Sequence, residues 1–249
     1  MSYLRVWCRM SIPMINLLLF ACVLTVKSQS SISGGVFVLG GIHQSHEKAK
    51  IYTYERMGEI YKELNPDILL VETLPKYATD KSFKGTPYDF AKFMVPLALK
   101  DSTPIYGIDW WDKEKGEKWR ILQKELFRDS SFLAEINLFG SMFTILNGYF
   151  IEKNFVEINS EFITNIWKAK SEFKYSVMRQ SLKYSFIADY EEERNDSIVA
   201  NVLHIVKNNP NKKILVAIGI DHKYYIEDKL RNFNIKVFRT DEIEDFKTR

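Results

Sequence analysis

Apolar residues along this chain gather into short, unbroken, β-rich runs separated by longer stretches with helical spacing. The runs are Val36–Gly41, Ile68–Val71, Pro104–Ile108, Ile214–Gly219 and Ile235–Phe238. The first four are apolar throughout instead of alternating, which is the pattern of strands covered on both faces, as in a parallel sheet. After the first run, Ser45–Leu64 places Ile51, Tyr54, Met57, Ile60, Tyr61 and Leu64 on one helical face. Helices are predicted likewise over Tyr88–Lys100, Glu191–Asn208 and Lys223–Arg231, and a loop over Leu74–Thr86. The expected fold is α/β, a mostly parallel sheet flanked by helices.

The stretch from Trp110 to Asp189 shows no strand pattern and is rich in aromatics. It predicts a helical insertion over about residues 112–190, covering the sheet edge or forming a lid. Its aromatics are expected to pack helices together, with a ligand-stacking surface as the alternative. Gly140 and Asn147-Gly148 are expected to end helices. The charged tail Asp241–Arg249 is expected to fray. His204, between Leu203 and Ile205, reads as a packed structural histidine, and Tyr224 and Tyr225 as core or as the mouth of a site.

Candidate chemistry falls at the ends of the runs. The first leads to His43, the second to Glu72, the third to Asp109 and the fourth to His222. Ligands of open α/β sheets bind outside the carboxyl ends of the strands, so these four should converge on one crevice. Each has a duller alternative: a histidine satisfied by a helix N-terminus, or, for Asp109, a cap for the next helix. Glu72 follows an apolar wall and needs a partner such as Arg194 or a metal. Arg194 lies beside Glu191-Glu192-Glu193, and its alternative is an exposed helix start with dipole-favoured acids. His46 shares a helix face with His43 and would support the site or a cofactor.

Composition narrows the class. At 249 residues, 46% hydrophobic and 27% charged, the chain suits one globular domain. Residues 1–28 differ: Arg5 and Arg9 precede an apolar run from Ile12 to Val26, followed by Lys27-Ser28. This reads as a signal peptide cleaved before Gln29, and residues 29–249 as the single mature domain. An uncleaved membrane anchor, a lipobox at Leu19-Phe20-Ala21-Cys22 and a start at Met10 are the alternatives. A periplasmic or secreted protein is expected, touching membrane only if that segment is retained. Removing Arg5, Arg9 and Lys27 from the 35 bases leaves 32, equal to the 32 acids. No basic patch points to nucleic acid. Both cysteines, Cys8 and Cys22, lie in the same segment, so no thiolate site is expected after it.

The order of motifs is similar to that of the Tiki/TraB/ChaN-like superfamily, which includes erythromycin-esterase-like proteins. Gly40-Gly41-Ile42-His43 follows a strand, Pro66 to Glu72 gives P-D-x-x-x-x-E, Glu193-Arg194-Asn195 opens a helix, and Gly219-Ile220-Asp221-His222 ends another strand. The second acid that such proteins often carry beside Glu72 is replaced by Thr73-Leu74, leaving Asp109 as a substitute. The resemblance implies proteolysis, ester hydrolysis or haem binding. The expectation is an exported hydrolase of a peptide or small-molecule ester. Its first form uses Zn, Mn or Fe on His43, Glu72 and His222, with Asp109 and Arg194 assisting. Its rivals are metal-free ester hydrolysis with His43 as general base, and a haem or iron carrier with a histidine or tyrosine ligand.

Overall fold

The computed structural model describes residues 34–248, so the signal-peptide expectation lies outside the described residues. Five strands form one parallel sheet: β1 Gly35–Gly41, β2 Ile68–Val71, β3 Ile105–Gly107, β4 Lys213–Gly219 and β5 Val237–Phe238. Their order is β3-β2-β4-β1-β5. The chain leaves β1 toward the β2 side of the sheet and leaves β4 toward β5. Neighbouring β1 and β4 therefore part in opposite directions, which makes a topological switch point where such sheets hold ligands.

Unbroken apolarity buries both faces. Phe37, Leu39, Leu69, Val71, Leu215 and Ala217 face one core with Met57, Ile60 and Tyr61 of the helix Tyr54–Leu64. Val36, Val38, Leu70, Val216 and Ile218 face the other, with Ile198 and Val202 of the helix Ser185–Asn208 and Ile226 of the helix Ile220–Asn232. β3 is a short edge, and Tyr106 is exposed on it.

Several boundaries depart from expectation. His43–Glu47 is a 3₁₀ turn, and the first long helix begins only at Tyr54, capped by Thr53, which accepts from the Arg56 N–H. His43 has a positive φ of 47°, and Ile51 lies exposed between the 3₁₀ turn and the helix. Tyr88–Lys100 is two helices broken at Met94, because Pro96 lacks the N–H that a continuous helix requires. The expected loop after Glu72 contains the short helix Pro75–Thr79. The insertion is helical throughout, its longest parts being Lys113–Leu126, Leu133–Phe150 and Glu161–Met178. Gly140 and Gly148 lie inside the second of these and end nothing. The tail does not fray: Ile243 and Phe246 are buried against the first core. His204 is exposed and near only Asn208, so it does not pack as expected.

Candidate functional site

The strand ends bring His43, Glu72, Asp109 and His222 to one edge, and Arg194 crosses from the helix Ser185–Asn208 to join them. Helix Ser185–Asn208 starts six residues before Glu191, so Arg194 lies well inside it and is no exposed helix start. Its Nε donates to Asp109 Oδ1 at 2.9 Å, Nη2 to Glu72 Oε1 at 3.0 Å, and Nη1 to His222 Nε2 at 3.1 Å. Burial opposes the charge of Arg194, but Asp109 and Glu72 outweigh it and raise its pKa above the ordinary value. Asp109 is held by Arg194 and its own Trp110 N–H, and it caps no helix, since Asp112 does that. His222, in the first turn of its helix, accepts from Arg194 at Nε2 and donates from Nδ1 to Asn195 Oδ1 at 2.6 Å. Both its nitrogens are used. Asn195, the neighbour of Arg194, thus sets the tautomer.

The other half of the site centres on His43 and on Asp89, an acid that the pattern of the short helix Tyr88–Phe93 hid. His43 Nδ1 lies 3.2 Å from Asp89 Oδ2, and its Nε2 lies 3.7 Å from Glu72 Oε2. Asp89 is fully buried, and His46 Nε2 stands 3.4 Å from it on the other side. Burial works against an ionised Asp89, but hydrogen bonds from His43 and His46 prevail and hold it well below the usual carboxylate range. Burial also works against a charged His43. The hydrogen bond that His43 donates to Asp89 and the charges of Glu72, Asp89 and Asp221 outweigh it and raise His43 to about 9. At neutral pH His43 therefore carries a proton, and its side chain is still 38% exposed. His46 is a correction to the cofactor expectation. It is buried, with Nδ1 donating to the Tyr52 carbonyl at 2.6 Å and Nε2 facing Ile42 N and Asp89, so it can only position Asp89.

Paired glycines make the room. Gly41 and Gly219 sit opposite each other in the β1–β4 register. A Cβ on Gly219 would lie 2.7 Å from His43 Nε2, 2.9 Å from Asp221 Oδ1 and 3.4 Å from Glu72 Oε2, so three polar atoms converge beside bare backbone. A Cβ on Gly41 would lie 2.5 Å from Asp89 Oδ2 and 2.7 Å from the Phe90 ring. The two positions should respond differently. Gly41→Ala pushes on the buried Phe90 ring and is expected to cost about 1–3 kcal/mol. Gly219→Ala meets only side-chain ends that can swing away, so it should cost little stability while moving His43. Thermal melts and the His43 resonance in an NMR titration check both.

Asp221 was not anticipated. Burial in the cleft raises its pKa, but His222, Lys170, His43 and Arg194 overcome this and bring it down to about 2. Its carboxylate faces the cavity, with 53% of the side chain open. Asn159 is a second unanticipated residue. It replaces a strand partner at Gly40, accepting from its N–H at 2.6 Å and donating to its carbonyl at 3.3 Å. Tyr224 is buried in the core and does not line the mouth of this site.

A divalent metal does not fit this arrangement. Among the described residues no group of three or more His, Cys, Asp and Glu could hold one. Arg194 takes the Nε2 lone pair of His222 and one oxygen of Glu72; the Gly219 N–H takes the other at 2.8 Å. A haem iron meets the same difficulty at His222, and burial raises the pKa of Tyr175 and brings that of Tyr224 to about 12, against a phenolate ligand.

Compared with family models, with curated proteins and with solved structures, the chain matches none.

Proposed function

We propose that this is an acid–base hydrolase of the Tiki/TraB/ChaN-like kind, cleaving a peptide or ester bond by direct attack of water, with His43 as its proton carrier. The observation that carries this reading is the state of His43. It is charged between three carboxylates, held at Nδ1 by buried Asp89, with Nε2 beside Glu72 at the switch point and the side chain 38% exposed. That is the logic of an oriented acid–base histidine, with a fixed tautomer and one working nitrogen. The proton is present at neutral pH, so His43 acts first as general acid, in place of the metal ligand of the first expectation and the general base of its rival. In the reaction, water attacks the carbonyl carbon, and Asp221 takes the proton that water loses. The carbon–oxygen or carbon–nitrogen bond to the leaving group breaks as that atom takes the Nε2 proton of His43. Proton transfer from Asp221 back to His43 resets the site. Arg194 keeps Glu72, Asp109 and His222 at fixed spacing around the attacked group.

The test is hydrolysis of a panel of ester and peptide substrates with and without chelator. Activity should survive the chelator and fall about 10²–10⁴-fold in His43→Gln. It should also decline as pH rises through about 9, where His43 loses its proton. Activity that rises through that pH restores His43 as base, and activity abolished by chelation restores the metal.

A further inference from the structure

Beside the His43 cluster, a cavity of about 280 Å³ opens between the helices Lys113–Leu126, Glu161–Met178 and Ser185–Asn208. Arg194, Asp221 and His222 form its floor, which places it against the reacting residues. Its walls carry Trp111 and Trp119, whose rings meet edge to face at 6.1 Å, together with Tyr175 and Tyr190. Three cations line it. Arg194 is committed to Glu72, Asp109 and His222. Lys174 is committed to Glu191, with Nζ at 2.6 and 2.7 Å from the two carboxylate oxygens.

The third cation is Lys170, and it is committed to nothing of opposite charge. It is only 6% exposed, yet it has no hydrogen-bond or ion-pair partner among the described residues. Its ammonium rests 3.8 Å from the centre of the Trp167 ring. A ring face partly compensates a desolvated cation but leaves its hydrogen-bonding capacity unused. Burial draws its pKa down to about 8, against the opposing pull of Asp221. A buried lysine left in this state gains more from an arriving anion than an exposed one, whose water already satisfies it.

We propose that this cavity binds a carboxylate carried on a flat apolar group, with Lys170 as its counter-ion and Trp111 and Trp119 against the flat group. The proposal names the substrate class of the hydrolytic reading and rests on it for the link to catalysis. One uncommitted cation suits one negative charge. The Asp221 carboxylate on the same cavity would repel the second charge of a phosphate monoester. Two sources offer this chemistry: a small aromatic acid, and the C-terminus of a peptide ending in an aromatic residue.

The experiment is a binding titration on the intact chain, read by tryptophan fluorescence. The probes are benzoate, its uncharged analogue benzamide, the dianion phenyl phosphate, and N-acetylphenylalanine. Benzoate or N-acetylphenylalanine should bind saturably, and whichever binds more tightly identifies the source. Benzamide and phenyl phosphate should bind more weakly. Lys170→Met should weaken the favoured carboxylate by about tenfold or more, with its melting temperature measured alongside. In the unaltered protein the same ligand should slow acetylation of Lys170 by acetic anhydride, read by mass spectrometry; this arm decides if Lys170→Met does not fold. Equal binding by Lys170→Met, equal or tighter binding of benzamide or phenyl phosphate, no binding of either carboxylate, or unprotected Lys170 each overturns the proposal. None of these readouts uses hydrolysis, so an inactive protein that binds benzoate through Lys170 would sink the hydrolase reading alone.

Discussion

Replacing Arg194 by Met is expected to cost about 3–5 kcal/mol of stability, the range for removing one partner of a buried ionic network. The single guanidinium satisfies Glu72, Asp109 and His222 at once, and Glu72 is buried. Without it Asp109 loses its cation, Glu72 keeps only the more distant His43 at 3.7 Å, and His222 Nε2 loses its donor. At this chain length each kcal/mol moves the midpoint by about 2–4 °C, so the melting temperature should drop by roughly 10 °C. Arg194→Lys should recover only part of this, because an ammonium on a flexible stem does not reach three acceptors in a fixed planar fork. A melting temperature unchanged in Arg194→Met would mean that these contacts do not hold the strand ends together.

The second large effect belongs to Asp89. In Asp89→Asn the buried charge is gone and only a neutral acceptor can face His43, so burial dominates and the His43 pKa should fall from about 9 to near or below its ordinary 6.5. The linkage sign follows from a raised folded-state pKa: the stability His43 contributes is fully present below 6.5 and lost as pH rises through about 9. The variant should lack this alkaline loss of stability, which melts between pH 6 and 10 would show. With the acid form depleted at neutral pH, hydrolysis should fall about 10²–10⁴-fold and its alkaline limb should move to lower pH by the same shift. If the His43 resonance still titrates near 9 in Asp89→Asn, then Glu72 and Asp221 alone hold the proton, and Asp89 is only a packing residue.

The sheet was readable because runs such as Ile214–Gly219 are apolar at every position, a pattern that only a doubly covered strand explains. The strand-end rule then sufficed to bring His43, Glu72, Asp109 and His222 to one edge. Helix starts were less readable, because Ser45 and Thr53 are both competent caps and only Thr53 is used as one. Pro96 marked its break openly, but the continuous apolar pattern across it masked the signal. Asp89 was invisible for a different reason. An acid in the first turn of a helix looks like a dipole complement, and only the path of the chain from β2 through two short helices puts it beneath His43. The same holds for Lys170, which in a sequence rich in exposed lysines has nothing to single it out. The contrast between Glu191, tied to Lys174, and Arg194, tied to three strand ends, likewise depends on where successive turns of one helix point.

The strand order carries a consequence for when the protein can fold. β4 lies in the middle of the sheet, paired to β1 on one side and β2 on the other, yet it arrives only at residues 213–219. Until then β1 and β2 have no common partner, and the slot between them is empty. A growing chain that has completed the first two-thirds of its length can form helices but not the sheet. β2 can pair with β3 by then, but β1 must wait without a strand partner through most of synthesis. The edge that gathers His43, Glu72 and His222 is therefore completed in one late, long-range step, and a chain cut short of β4 should not bring His43 beside Glu72.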